Sequence, residues 1–215
     1  MSTEKKEFVN VKIKAGNIFY VSSKEPFDGA VMVETKFGEY YHKELPIIES
    51  PKLLSVKLVE GKFGESLKFL MEGEDGSVLD LSMVTINQKG GLDSFAADVA
   101  KTLPNLEIGK PITISLNKES ANAAGYLYPN VYIKQDEDEN VRWAFGIDEI
   151  PKLVQKINKV TKKTEYDSED RDAFLYDKIK EACKKLKGAR PQNDNYPKAK
   201  QDIAVSTIND DDLPF

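Results

Sequence analysis

The chain has 215 residues, of which 40% are hydrophobic, so it is long and apolar enough for one large packed domain with appendages. Its formal net charge of −5 argues against a uniformly basic nucleic-acid binder, but acidic runs at 136–139 and 210–212 leave room for a local basic groove. One cysteine and one histidine exclude a disulfide framework and a cysteine-rich zinc site, and without an apolar leader or a membrane-spanning run we expect a soluble, intracellular protein.

The first part of the chain predicts short β-strands. Runs rich in β-branched and aromatic residues are separated by glycine and proline, which is the pattern of strands and turns. Four such runs come first, at 8–14, 18–22, 31–37 and 40–45. Three longer runs with tight glycine-containing turns predict a meander at 53–60, 66–72 and 78–86.

The period then changes to that of a helix. Apolar residues recur at helical spacing between Leu92 and Leu103, with Asp93 or Ser94 available as the N-cap and Pro104 as a stop. Two more strands are predicted at 111–117 and 126–135. Three strands, a helix and two strands is the order of an OB-fold, whose strand 2–3 face and hairpin loops bind oligonucleotides. Other small barrels and sandwiches share this order.

The carboxyl-terminal part predicts one strand and two helices. A strand is expected at 141–146, a helix at 148–163 with a lysine-rich face, and a second helix at 168–188 that ends at Gly188. The helical spacing of apolar residues stops after that glycine. We therefore predict a mainly β protein, an OB-fold-like barrel with N-terminal strand additions and two C-terminal helices. Residues 1–188 would form this domain, 189–209 a flexible linker and 210–215 a separate tip.

The predicted strand 126–135 is a candidate binding surface. Side chains alternate between the two faces of a strand. If one alternating set faces the core, the other set presents phenol rings and an ammonium group to solvent. Single-strand binders use aromatic side chains because every base has a π-face, and lysines because they contact phosphates. The residues concerned are Tyr126, Tyr128, Tyr132 and Lys134. Pro129 interrupts the pattern, and burial of the tyrosines under terminal extensions is the alternative.

Further basic and aromatic candidates lie in other strands. Lys57 and Lys68 have the outward parity of the first two meander strands, and Lys62 and Phe63 lie in the loop between them. The aromatic and basic residues at 19–20 and 40–43 are weaker candidates, since packing within a strand is the favoured alternative for each. The lysine face of helix 148–163 is consistent with three roles: contact with phosphates, a solvated surface, or contact with the acidic tip.

The sequence closes with three carboxylates followed by an apolar residue, a proline and a phenylalanine. The ring and the α-carboxylate suit a partner's pocket, proline limits the entropy lost on docking, and the acids suit a basic rim. These residues are Asp210, Asp211, Asp212, Leu213, Pro214 and Phe215. This ending resembles the acidic tip of bacterial and phage single-stranded DNA-binding proteins.

The resemblance implies that the protein coats single-stranded DNA during replication, recombination and repair. The tip would recruit replication and recombination proteins, and a phage-encoded member would act in the cytoplasm of its bacterial host. The larger body and short linker favour a phage or plasmid protein and leave self-association open.

An enzymatic function has little support in the sequence. The motifs of P-loop, zinc-protease, serine-hydrolase and dinucleotide sites are absent, and the acids at 136–139 are contiguous, unlike a spaced metal-binding pair. We therefore expect a protein without catalytic residues, metal or cofactor. Two alternatives remain: a recombination protein that anneals single strands, and a nuclease with an OB body.

Overall fold

The computed structural model describes residues 8–14, 18–35, 38–61, 64–73, 75–121, 127–136, 140–157, 159, 162 and 164–188. The described part is mainly β, with twelve strands and two α-helices. The strands are β1 Phe8–Lys14, β2 Ile18–Ser23, β3 Val31–Thr35, β4 Gly38–Leu45, β5 Ile47–Ser50, β6 Lys52–Gly61, β7 Gly64–Glu72, β8 Val78–Val84, β9 Ile112–Ala121, β10 Leu127–Lys134, β11 Val154–Ile157 and β12 Thr164–Asp167. The helices are α1 Ser94–Val99 and α2 Glu169–Lys185, and single 3-10 turns occupy Leu103–Asn105 and Ile147–Glu149.

Most of the predicted elements are confirmed. The four early strands, the three-stranded meander and the later pair all form, with ends displaced by a few residues. Asp93 is the N-cap of α1, since its Oδ1 accepts a hydrogen bond from the backbone N–H of Phe95 at 2.9 Å. Strand β5 was missed because it has only four residues and directly precedes Pro51.

The predicted helix at 148–163 is wrong. The carboxyl-terminal part of the described chain therefore has one α-helix, α2, and not two. Only Ile147–Glu149 makes a helical turn, and β11 pairs antiparallel with β12. Pro151 explains the break, because it disfavours the helical conformation of Ile150, whose ψ is 124°. The predicted strand at 141–146 is also wrong. Its backbone makes one hydrogen bond to β10, from Val141 to Ile133, and the isolated β-bridge to β10 is formed by Asn140, which precedes the segment.

The strands form two main sheets. A seven-stranded sheet has the order β3-β4-β2-β1-β8-β7-β6, in which only the β1–β8 pair is parallel, and a three-stranded sheet has the order β10-β9-β5. Only Pro51 separates β5 from β6, so one run of chain serves both sheets. The described strands do not close into a barrel, because no ladder joins β8 to β10.

The turn from β5 into β6 is stabilised by Ser50, which is 6% exposed. Its hydroxyl donates to the carbonyl of Glu72 in β7 at 2.7 Å and accepts from the N–H of Lys52 at 3.1 Å. A buried hydroxyl without partners would cost free energy, so these bonds favour this path of the chain. They join the beginning of β6 to the end of β7.

The hydrophobic core is formed by both sheets and both α-helices. Helix α1 packs against β8 and β10, and α2 packs against β6 and the turn Leu103–Asn105. The inward side of α2 consists of buried residues at helical spacing, Leu175, Ile179, Ala182 and Cys183, and the C-cap Leu186 is buried beside them. Burial and the negative charge of Glu65 raise the pKa of the Cys183 thiol to about 11, so this thiol is protonated at neutral pH.

Gly188 lies three residues after the end of α2, whose C-cap is Leu186, so the predicted helix end is displaced. Its φ is +53°, and a Cβ there would lie 2.0 Å from the carbonyl oxygen of Leu54. Two residues earlier, the carbonyl of Leu186 accepts a 2.9 Å bond from the N–H of Val56 in β6. Glycine is therefore required where the chain passes closest to this edge strand.

Within the part of the chain that the structure describes, neither α-helix is long and apolar enough to cross a lipid bilayer.

Candidate nucleic-acid interface

A row of residues crosses the outer face of the seven-stranded sheet. The strand register pairs Lys57 with Lys68, Lys68 with Ser82, Ser82 with Lys12, and Lys12 with Tyr20. Directly paired residues on neighbouring strands point to the same side of a sheet. We call these five residues the lysine row. Five strands at about 4.8 Å spacing make the row about 19 Å long.

The opposite parity of the same strands faces the core. Six of the neighbouring residues along these strands are at most 1% exposed: Val11, Phe19, Val56, Leu67, Phe69 and Leu81. Because side chains alternate along a strand, this burial places the lysine row on the outer face. The predicted outward parity of Lys57 and Lys68 is therefore confirmed. Lys12 was missed, although the alternation of Val9, Val11 and Ile13 in its own strand was a signal that could have found it.

One lysine of the row is held by a buried carboxylate. The Nζ of Lys68 lies 2.8 Å from Oδ2 of Asp80, and their side chains are 24% and 5% exposed. The other oxygen of this carboxylate, Oδ1, is buried and has no hydrogen-bond partner among the described residues. The pair fixes the ammonium on the sheet surface. Within the row, three ammonium groups outnumber the carboxylate of Asp80, and Glu44, paired with Tyr20 on β4, adds a second carboxylate at that end.

Aromatic rings lie at the β2–β4 end of the row. The ring centroids of Tyr20 and His42 are 5.1 Å apart at an interplanar angle of 42°. Both side chains are half-buried. Tyr40, two residues from His42 along β4, has the same parity. The sequence ranked these aromatics below those of strand 126–135, yet they are the rings that the structure places next to the lysines.

Tyr132 and Lys134 lie on the small sheet, not on the sheet of the lysine row. The predicted alternation holds here, since Val131 and Ile133 are 7% and 2% exposed whereas Tyr132 is 41% exposed. Lys134 is half-buried and is paired with Thr113 of β9. The predicted cluster of Lys57 and Lys68 with these residues therefore spans two sheets.

Several predicted site residues cannot be placed. The ladder between β10 and β9 shifts register between Tyr128 and Asn130, where Pro129 had been expected to interrupt the pattern. The other predicted site residues lie outside the described residues: Tyr126, Lys62, Phe63 and the tip at 210–215. The side chain of Tyr128 is also outside them.

The lysines predicted on a helix at 148–163 belong to a region with a different structure. Lys156 lies on β11, where its ammonium is paired with the carboxylate of Asp167 on β12. Hydrogen bonding to Asp167 raises the pKa of Lys156 and lowers the pKa of Asp167. The other side of the hairpin presents Ile157 and Tyr166, which are 67% and 64% exposed. No helical lysine face exists in this part of the described chain.

The lysine row is suited to binding an extended anion. Ammonium groups on a rigid sheet can contact successive phosphates, and the half-buried rings beside them can stack with bases through their accessible faces. In the described ranges, no three His, Cys, Asp or Glu side chains are grouped so that they could hold a metal ion. Comparisons with protein-family models, with curated proteins and with solved structures give no match.

Proposed function

We propose that this protein binds single-stranded DNA without enzymatic activity and with little sequence preference, and protects it during replication, recombination and repair. The observation that carries the proposal is the lysine row, in which Lys12, Lys57 and Lys68 are aligned across the outer face of one sheet next to Tyr20. The lysines would exchange counterions for phosphates, and the rings would stack with bases.

The order of the strands supports this proposal through an OB-like, open arrangement. In this reading, the run β5–β6 is the first OB strand, β7 and β8 are the second and third, and β9 and β10 follow α1 as the fourth and fifth. Lys68 and Ser82 then lie on the strand 2–3 face that binds oligonucleotides in OB-folds. Strands β1 to β4 are the N-terminal addition, and β1 pairs with the edge of β8 that would otherwise be free.

The acidic ending supports the second half of the proposal. The ending at 210–215 would recruit replication and recombination proteins by placing the ring of Phe215 in a partner's pocket. Its three carboxylates keep the same segment away from phosphates. Binding of DNA and binding of partner proteins are thus assigned to different parts of the chain.

The DNA-binding test is a fluorescence titration with oligo-dT, duplex DNA and RNA over a range of salt concentrations. We expect single-stranded DNA to bind more tightly than duplex, with affinity that falls as salt rises. The variants Lys12→Gln and Lys57→Gln should each reduce the slope of log K against log salt by about 0.7, the value for one phosphate contact on a single strand.

The matched control is Lys24→Gln, which removes the same charge from an exposed loop outside the row. Two results would contradict the proposal: duplex DNA that binds as well as single strands, or row variants that behave like this control. Metal-dependent cleavage of the oligonucleotide would instead indicate a nuclease, and accelerated pairing of complementary strands would indicate an annealing protein.

A further inference from the structure

A pocket of about 260 Å³ lies beside β10, apart from the residues of the lysine row. Its walls come from α1, from β10 and from the segment 140–143. Drug-sized ligands occupy pockets of about 300–1,000 Å³, so this one suits a smaller occupant such as a single aromatic ring system.

Two exposed aromatic side chains line the pocket. Trp143 is 47% exposed and Tyr132 is 41% exposed. Tryptophan is on average a highly buried residue, so an exposed indole at a pocket needs a reason. The Nζ of Lys101 lies over the indole, 4.7 Å from the ring centroid. Since this ammonium occupies one face of the ring, a ligand can stack only on the opposite face.

The backbone that carries Trp143 is held in place although it belongs to no helix or strand. The N–H of Val141 donates to the carbonyl of Ile133 at 2.8 Å, and the N–H of Ala144 donates to the carbonyl of Lys101 at 2.7 Å. The amide of Asn105 donates to the carbonyl of Arg142 at 3.2 Å. Three tethers on both sides of the tryptophan reduce the entropy that its ordering would cost on binding.

The charges at the pocket favour a base over a phosphate as its occupant. The carboxylate of Asp98 lines the pocket, where Oδ1 is paired with Lys101 at 2.6 Å and Oδ2 accepts from the N–H of Val131 at 2.6 Å. A carboxylate repels a phosphate, but its remaining lone pairs can accept from the N–H groups of a base. Arg142, exposed beside Trp143, is available for the adjoining phosphate.

We propose that this pocket captures one unpaired nucleobase of the bound single strand, stacked on Trp143 and flanked by Tyr132. The inference rests on the proposed function and adds to it a base-binding site on the small sheet. An aromatic side chain of a protein would be the competing occupant of such a pocket.

The experiment uses the fact that Trp143 is the only tryptophan in the chain, so emission excited at wavelengths that tyrosine does not absorb reports on the pocket alone. The full-length protein is titrated with an oligo-dT of about 12 nucleotides, within the about 4–16 that one OB-fold covers. An abasic oligomer of equal length supplies the same phosphates without bases. We expect the oligo-dT to quench the tryptophan emission and the abasic oligomer to bind without quenching it.

Affinity is measured in parallel by the fluorescence anisotropy of a labelled oligo-dT. Trp143→Leu should raise Kd about 5- to 150-fold, the loss expected for one stacked base. Tyr132→Ala, on a different element, should also weaken binding. The control is Tyr166→Leu, which removes an aromatic ring that is 64% exposed on β12 and does not line the pocket. Circular dichroism shows whether each variant is folded.

The outcomes separate this inference from the function on which it rests. If the oligo-dT binds but leaves the tryptophan emission unchanged, and Trp143→Leu binds no more weakly than Tyr166→Leu, the pocket holds no base although the proposed function stands. If no single strand binds at all, both fail. Quenching by a peptide with the sequence of 210–215, and not by the oligonucleotide, would assign the pocket to a protein side chain.

Discussion

Lys68 has two roles at the scale of the single residue. Its ammonium belongs to the lysine row, and it also neutralises the carboxylate of Asp80, which is 5% exposed at the side chain. A buried carboxylate that loses the cation paired with it destabilises the folded state. A loss of DNA affinity in a Lys68 variant could therefore result from lost binding or from lost stability.

A pair of variants separates the two roles. Lys68→Met alone should lower the free energy of unfolding by about 1–3 kcal/mol, since it leaves a buried acceptor unpaired. The double variant Lys68→Met/Asp80→Leu should recover most of that loss, because both charges are gone, while its DNA affinity remains below that of the unmodified protein. Urea unfolding and oligo-dT titration measure the two quantities. Full recovery of DNA binding in the double variant would show that Lys68 contacts no phosphate.

At the scale of secondary-structure elements, the segment after β10 departs most from prediction. Apolar residues at 150, 153, 154 and 157 have helical spacing, yet the chain forms the β11–β12 hairpin. Pro151 prevents Ile150 from adopting helical geometry, and the β-branched Val154, Ile157 and Thr164 suit strands. The hairpin's cross-strand pairs, such as Lys156 with Glu165, join residues on two strands and do not follow a spacing along one element. Periodicity alone could not reveal them.

The junction between α2 and β6 gives a prediction at the same scale. Gly188→Ala should lower the free energy of unfolding by several kcal/mol, because the added Cβ meets the Leu54 carbonyl at 2.0 Å and φ is +53°. Gly90→Ala is the matched control: its φ is +83°, but nothing lies within 4 Å of the added atom. The control should therefore show only the conformational cost, about 1 kcal/mol. Equal losses for the two variants in urea unfolding would mean that α2 is not docked this closely.

At the scale of the whole molecule, the protein separates its charges. The net charge is −5, yet the lysine row presents three ammonium groups on one sheet face, and three of the acids are gathered at 210–212. An acidic segment competes with phosphates for basic surfaces and is repelled by DNA. The two proposed binding activities should therefore respond differently to removal of the acidic ending.

Deletion of residues 210–215 tests this separation. The truncated protein should unfold at the same temperature and bind oligo-dT equally well or more tightly, because negative charge has been removed. The same deletion, and Phe215→Ala alone, should abolish capture of a replication protein from a host lysate, since one buried aromatic can supply much of the energy of a small interface. Identical sets of captured proteins from full-length and truncated chains would contradict the assignment of the tip.

Local sequence determined most of the strands, their inward and outward faces, and helices α1 and α2, but not β5, β11 or β12. Alternation in β6, β7 and β10 and the N-cap at Asp93 depend on neighbouring residues, so they could be predicted without a structure. The tertiary structure decided which faces meet. Strand register placed Lys12 and Tyr20 beside Lys57 and Lys68 and assigned Tyr132 to another sheet, and backbone tethers from distant residues positioned Trp143. These are pairings between residues that are far apart in sequence. Each strand could pair with several others, and the native pairing is selected only when the core forms.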